Sequence, residues 1–407
     1  MNDRVSDAPP QIVIVFPEGE IDSVPSVLAA IHEFCRLGYH VSVFAREREG
    51  YLRPQASDGV NYLWHPPLRH LTNWLDIVAR GFRWLFGSLR IRWRGRVTCV
   101  IGVDQSGLIW ARWLGYVLGT PLVYWSLEIL PREELSNARE HHRKTLEQNA
   151  ARTVSALIIQ DEEREELLRG FAVDLPGVPT VLVPNSPGGE AAKRRSRYLR
   201  DCFGIAENKR IVLHSGSVAV WACALELAES TNAWPDDWVL VIHSCRSMGG
   251  DPYTAWVRKA ARPGRVYLSE DPLPSDRYPE LVRSADIGVA FYREQAGSST
   301  SQRNLRHMGL SSGKAASYLR EGVPLIYTGG GLFDSTLQQY RCGERVENPG
   351  RTVEAISRLL TDYDARCAGA VQCFNTCLRI DGRFSRLLDL LGGAADQAPS
   401  ARSSPQM

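Results

Sequence analysis

The sequence predicts an α/β protein built from two Rossmann-like, doubly wound parallel-sheet domains that face each other across a central cleft, on three observations. Short, continuous apolar runs alternate with segments of helical periodicity along nearly the whole chain, as strands buried on both faces of a parallel sheet require. Near the middle of the chain, Val181-Leu-Val-Pro-Asn-Ser-Pro-Gly-Gly189 ends the last strand of a first series in a cluster of chain breakers, and a second series follows. The length of 407 residues exceeds what one hydrophobic core usually organises.

The first run, 11–16, leads into the turn Pro17-Glu-Gly-Glu20, after which Val27, Leu28, Ile31 and Phe34 recur at helical spacing. Gly38 stops that helix before a second strand over 40–44. The alternation returns as a strand at 97–103, a helix at 107–118 and a strand at 121–125, then as a strand at 156–160 and a Glu-rich helix at 161–170. Beyond the breakers, strands are expected at 210–214, 238–243, 265–268, 287–291 and 324–327, and 351–391 reads as helical. The chain therefore divides into a disordered start at 1–10, a first domain over 11–186 and a second over 187–370. A helix over 371–392 follows, crossing back toward the first domain, and the tail 393–407 has the Ala, Ser, Pro and Gln content of a disordered segment.

Composition excludes several classes. With 48 Lys and Arg against 46 Asp and Glu, the net charge of +2 is too balanced for a nucleic-acid binder that works by phosphate neutralisation. Nine scattered cysteines without a CxxC pair indicate neither a disulfide scaffold nor a structural zinc site. The first ten residues lack the apolar core of a signal peptide and no later stretch has the length of a bilayer span, so a cytoplasmic location is expected.

Ligands of open α/β sheets sit at the carboxyl ends of strands, where backbone amides and helix starts are free. Three segments there are short of bulky side chains. In the first, Gly19 lets an acceptor or phosphate approach the backbone beside Glu20 and Asp22, although a plain surface turn accounts for it equally well. In the second, the amides of Gly216 and Ser217 follow a buried strand and can meet phosphate oxygens. In the third, Ser311, Ser312 and Gly313 cap a helix over 314–320 that Gly322 ends, and Lys314 places a point charge beside the positive helix start. An ordinary capped helix with a solvated lysine is the bland alternative.

Four segments, in order, carry a resemblance: Val183-Pro-Asn-Ser186, His214-Ser-Gly-Ser217, Val282-Arg-Ser-Ala-Asp-Ile-Gly-Val289 and Ser312-Gly-Lys-Ala-Ala-Ser-Tyr-Leu-Arg-Glu-Gly-Val-Pro-Leu-Ile326. Over roughly its whole length the chain resembles the family-4-type glycosyltransferases of the GT-B fold, and the last segment is similar to their "S.K..EYL..G.Pvi" motif. The resemblance implies a nucleotide-diphosphate sugar held mainly by the second domain, with Lys314 falling on the family's lysine; the donor-binding candidates there are Gly216, Ser217, Ser311, Ser312, Gly313, Lys314 and Ser317. It also implies an acceptor, saccharide or lipid-linked, held mainly by the first domain, where the strand-end turn offers Gly19, Glu20 and Asp22. It implies sugar transfer with retention in surface polysaccharide or glycoconjugate assembly, with no metal and no cofactor, the helix dipole and basic side chains stabilising the leaving diphosphate.

The chain departs from the family where glutamates are expected, carrying Gly309 and Ser317 at those two positions, and it lacks the basic residues that often follow the donor-domain glycine. Arg293 and Arg306 are candidates to restore positive charge, with solvated loop arginines as the alternative. Similar proteins often carry a His or Glu after the strand that ends at Tyr124-Trp-Ser-Leu-Glu128, which makes Glu128 the first and Asp104 the second candidate for an acidic catalytic contact. Capping of the following helix competes as an explanation for both. The segment 71–96 is basic and aromatic, which fits peripheral contact with an anionic membrane, although a helix before a parallel strand buries one face in any case. Two further accounts stay open: a non-catalytic GT-B binding or partner subunit, motivated by the missing glutamates, and a GT-B nucleotide-sugar epimerase sharing the fold.

Overall fold

The computed structural model describes residues 9–65, 91, 95–294 and 302–396. Seven strands form the first sheet: β1 (Gln11–Phe16), β2 (His40–Arg46), β3 (Val60–His65), β4 (Val97–Val103), β5 (Leu122–Trp125), β6 (Ala156–Ile159) and β7 (Thr180–Leu182). They lie in the order β3-β2-β1-β4-β5-β6-β7, every pair parallel. Six more form the second: β8 (Arg210–Gly216), β9 (Trp238–Ser244), β10 (Val266–Ser269), β11 (Ile287–Ala290), β12 (Leu325–Tyr327) and β13 (Gly343–Arg345). Their order is β10-β9-β8-β11-β12-β13, again all parallel.

All six residues of β1 are buried because helices cover both faces of its sheet. On one face Val27, Ile31 and Phe34 of the helix Pro25–Arg36 meet Ile12, Ile14 and Val43. On the other, Leu108, Ala111 and Leu114 of the helix Asp104–Leu118 meet Val13, Val15 and Val100. The chain's last described helix, Arg383–Asp396, also belongs to the first core. Its Phe384 is fully buried, with ring centroids 5.1 Å from Phe34 and 5.7 Å from Trp125. Burial of such a side chain contributes roughly 1.5–3 kcal/mol toward holding the returning helix in place. Arg383 adds a hydrogen bond from Nη1 to the carbonyl of Leu182, 2.7 Å.

Two strands escape the sequence reading. β3 is an edge strand whose six residues are all half-buried, and β13 is three residues long, so neither has the apolar run of a central strand. All nine cysteines are unpaired thiols. Among the described residues no helix is long and apolar enough to cross a membrane.

In the second domain the helix Gly313–Arg320 is pinned over the end of β8 by Tyr318. Its hydroxyl donates to the carbonyl of Leu213 (2.9 Å) and accepts from the amide of Ser215 (2.9 Å). The ring fits only because residue 288 is glycine: a Cβ there would lie 2.4 Å from Tyr318 Cδ2. This packing fixes where the helix starts.

Candidate active site in the cleft between the sheets

A cleft of about 840 Å³ runs between the carboxyl ends of the two sheets, with Glu20, Asp22, Pro25 and Glu128 on one wall and Gly216, Trp221, Tyr292 and Lys314 on the other. Ser217, Ser311, Ser312, Gly313 and Ser317 line it too, so the start of the helix Gly313–Arg320 opens onto the cleft at Gly313 and Lys314. Ser312 is the N-cap, accepting from the amide of Ala315 at 3.2 Å, and its hydroxyl also meets that of Tyr292.

Lys314 is the unusual member of this wall. Its stem is half-buried, yet its Nζ is shut off from solvent and has no hydrogen-bond partner among the described residues. The ammonium lies 4.9 Å from the ring centre of Tyr292 and 5.7 Å from that of Trp221, two rings stacked within 6° of parallel. Desolvation pulls its pKa down to about 8. Aromatic faces attract a cation but accept no conventional hydrogen bond, so among the described residues nothing accepts the ammonium protons at the cleft wall. Gly216 stands opposite: a Cβ there would be 3.7 Å from Lys314 Cε, and its φ of +117° suits glycine. Burial, with the Lys314 charge nearby, pushes His214 down to about 3, so that imidazole is neutral.

Across the cleft, Glu128 follows β5. It is exposed and lines the cleft, and its carboxylate is enclosed on the side of Asn304 and Arg164. Desolvation by that enclosure raises its pKa, and the Arg164 guanidinium and a hydrogen bond from Asn304 Nδ2 act against the rise. Asp104 does not line the cleft. Its Oδ1 accepts from the amides of Leu127 (2.7 Å) and Glu128 (2.8 Å), so it holds the backbone that carries Glu128. Burial, then the charges of Glu18 and Glu128, raise its pKa well above the usual carboxylate range. It takes up this position with a φ of +55°.

The remaining candidates separate in the same way. Glu20 lines the cleft and pairs with Arg48. Asp22 lines it with its pKa raised by burial, opposed by Ser275. Gly19 lies outside the cleft, where a Cβ would sit 1.9 Å from the carbonyl oxygen of Arg46, so glycine there serves packing against the end of β2. The Ser317 hydroxyl donates to the carbonyl of Gly313 (2.8 Å) and that of Ser311 to Met308. Arg293 pairs with Glu226 at 2.5 Å and Arg306 with Glu294 at 2.7 Å, and neither reaches the cleft. The segment 71–96 lies outside the described residues except for 91, 95 and 96. Among those described, no cluster of three His, Cys, Asp or Glu side chains is placed to hold a metal ion.

Sequence reasoning missed Trp221, Tyr292 and Asn304. The first two were readable only as apolar residues after a strand; Asn304 joins Glu128 across 176 residues of chain, a distance no local pattern spans.

No protein-family model matches the sequence, and no curated protein matches it. Solved structures do. Sucrose-phosphate synthase from Thermosynechococcus elongatus superposes with a TM-score of 0.67 at 13% identity, covering 95% of this chain and 100% of its own. HepE of Anabaena, solved with UDP and glucose, gives 0.66 at 13% identity, over 94% of this chain and 99% of its own. WaaG, a glycosyltransferase involved in lipopolysaccharide biosynthesis, gives 0.57 at 16% identity, over 95% and 98%. These are GT-B proteins, and this chain has the GT-B fold.

Proposed function

We propose that this chain is a glycosyltransferase that moves a sugar from a nucleotide-diphosphate sugar to a saccharide or lipid-linked acceptor, in the assembly of a surface polysaccharide or other glycoconjugate. The observation that carries the reading is the ammonium of Lys314, which has no hydrogen-bond partner among the described residues, at the cleft wall beside the start of the helix Gly313–Arg320 and the glycine end of β8. A buried cation with no protein partner is costly, and an anionic ligand offsets that cost. The helix start and the small residues around Gly216 admit a diphosphate, and the charge that develops on it as the sugar leaves would be met by the same groups. Transfer without a metal and with retention completes the proposal, by the resemblance of the Ser312–Ile326 motif. The likeness to HepE, solved with UDP and with UDP-glucose, supports a nucleotide-sugar donor. Glu128, the acidic side chain opposite Lys314 that opens onto the cleft, is assigned the contact with the acceptor or the transferred sugar.

Calorimetric titration with UDP, GDP, ADP and TDP tests this. At least one should bind, and Lys314→Ala should weaken binding by about 1–3 kcal/mol, the worth of a charge-assisted contact. Unchanged affinity in the variant removes Lys314 from the site. A second reading, a non-catalytic binding subunit, draws on residues 309 and 317. A Cβ at Gly309 would lie 2.1 Å from Asp161 Oδ2, and the Ser317 hydroxyl is spent inside its own helix. Nucleotide binding without hydrolysis of the donor or transfer from it would assign that role, and conversion of the donor without acceptor would make the chain an epimerase.

A further inference from the structure

The turn that follows β6, Asp161-Glu-Glu-Arg164, makes most of its contacts with the other domain. Asp161 caps its own helix through Oδ1, accepting from the amide of Arg164 at 2.9 Å, and sends Oδ2 across the interface to accept from the amide of Leu310 at 2.6 Å. Glu163 accepts from the amide of Leu332 at 2.7 Å through Oε2 and sets Oε1 2.7 Å from His307 Nδ1. Arg164 has no solvent exposure and donates four times: to Gln160 Oε1 (2.6 Å), Leu127 O (2.8 Å), His307 O (2.9 Å) and Asn304 Oδ1 (2.6 Å). The other end of the Asn304 amide donates to Glu128.

The second domain is shaped to receive these groups. A Cβ on Gly309 would collide with the Asp161 carboxylate, and one on Gly331 would lie 2.6 Å from Glu163 Oε1. Both glycines have positive φ, +49° and +61°, which turns the amides of Leu310 and Leu332 toward the carboxylates. Acceptors thus come from one domain and main-chain donors from the other. Both sets lose their partners if the domains part, and Glu128 loses Asn304 with them.

We propose that Arg164 and Asn304 are positioning residues for Glu128, and that the Asp161–Arg164 turn is an interdomain latch that brings Asn304 to Arg164 and Glu128, so that the carboxylate is set in the cleft only when the two domains close. The inference rests on the transferase reading, in which Glu128 meets the acceptor or the sugar. Closure that completes a catalytic constellation is an established way for two-domain enzymes to commit a substrate. Here it would act on the N-terminal wall, while the Lys314 wall lies wholly within the second domain.

The latch is tested at Glu163 and Gly331, which lie outside the cleft. Glu163→Ala and Gly331→Ala should each lower kcat about tenfold or more while the donor KM stays within about twofold, because the phosphate-facing wall is untouched. The double variant should be no worse than the worse single one, since each change breaks the same contact. Glu163→Gln keeps an acceptor for Leu332 and an amide facing His307, and should restore most of the rate. Small-angle scattering should show a larger radius of gyration for the two alanine variants and the parental value for Glu163→Gln. Asn304→Ala should move the acid limb of the pH–rate profile upward, because its amide and the Arg164 charge lower the Glu128 pKa; Asp104 and Tyr292 also face that group. Unchanged kcat and unchanged scattering in both alanine variants overturn the latch. Scattering needs no turnover: expansion in the variants of a chain that transfers no sugar keeps the latch and removes the transferase reading.

Discussion

The two walls of the cleft follow opposite electrostatic plans. The C-terminal wall offers an ammonium, Lys314, with no hydrogen-bond partner among the described residues. The N-terminal wall offers carboxylates that the protein has already engaged: Glu20 by Arg48, Asp22 by Ser275, and Glu128 by Asn304. The first arrangement is incomplete without a ligand. The second is complete in the closed protein, and what it leaves for a substrate is the open side of Glu128. Affinity is therefore expected from the Lys314 wall, and placement of the reacting groups from the other.

The sharpest way to break this contrast is Glu128→Gln, which keeps the shape and removes the charge. Loss of an acidic group working at the reacting centre costs about 10²- to 10⁴-fold in rate. The expected result is a kcat reduced by that factor with nucleotide affinity within about twofold of the parent, read by product formation and calorimetry. A large fall in nucleotide affinity instead would show that both walls bind the donor.

Next in size is the effect of pH on the Lys314 wall. The ammonium is the binding form, and in the free protein it predominates below about pH 8. A bound phosphate raises that pKa, so nucleotide binding should take up a proton just above pH 8, and affinity should fall as pH rises through that value. Calorimetry near about pH 8.5 in two buffers of different ionisation enthalpy reads the proton directly. No uptake in the parent, or the same uptake in Lys314→Ala, assigns the anion site to another group.

The contrast also explains what the sequence could disclose. The helix that carries Lys314 is local: Ser312 as cap, Lys314, Tyr318 on the buried face and Gly322 as stop fall within eleven consecutive residues, so capping rules and helical spacing expose it, whereas Trp221 and Tyr292 of the same wall come from other segments of the chain. The N-terminal wall is assembled over long separations. Asn304 meets Arg164 across 140 residues and Leu332 meets Glu163 across 169, and nothing in either neighbourhood marks the partner. Asp104 shows the same limit from the other side: its place at a strand end was legible, but its two hydrogen bonds to the Leu127–Glu128 backbone depend on a loop 23 residues away. At the level of fold, central strands were legible from their apolar runs, and the strands that escaped, β3 and β13, are edges with half their pattern missing.

The smallest effect is expected at Arg293 and Arg306, the two arginines that charge alone would send to the diphosphate. Each guanidinium is already matched by one carboxylate, Glu226 or Glu294, away from the cleft. Both pairs are at least a third exposed, and surface pairs of this kind contribute about 0–1 kcal/mol and are screened by salt. Moving either arginine to the donor would leave its glutamate unpaired, for little gain over water. Arg293→Ala and Arg306→Ala should therefore change nucleotide affinity by less than about twofold at physiological salt. A tenfold loss in either variant would mean that donor binding brings that arginine into the cleft, placing a second cation beside Lys314.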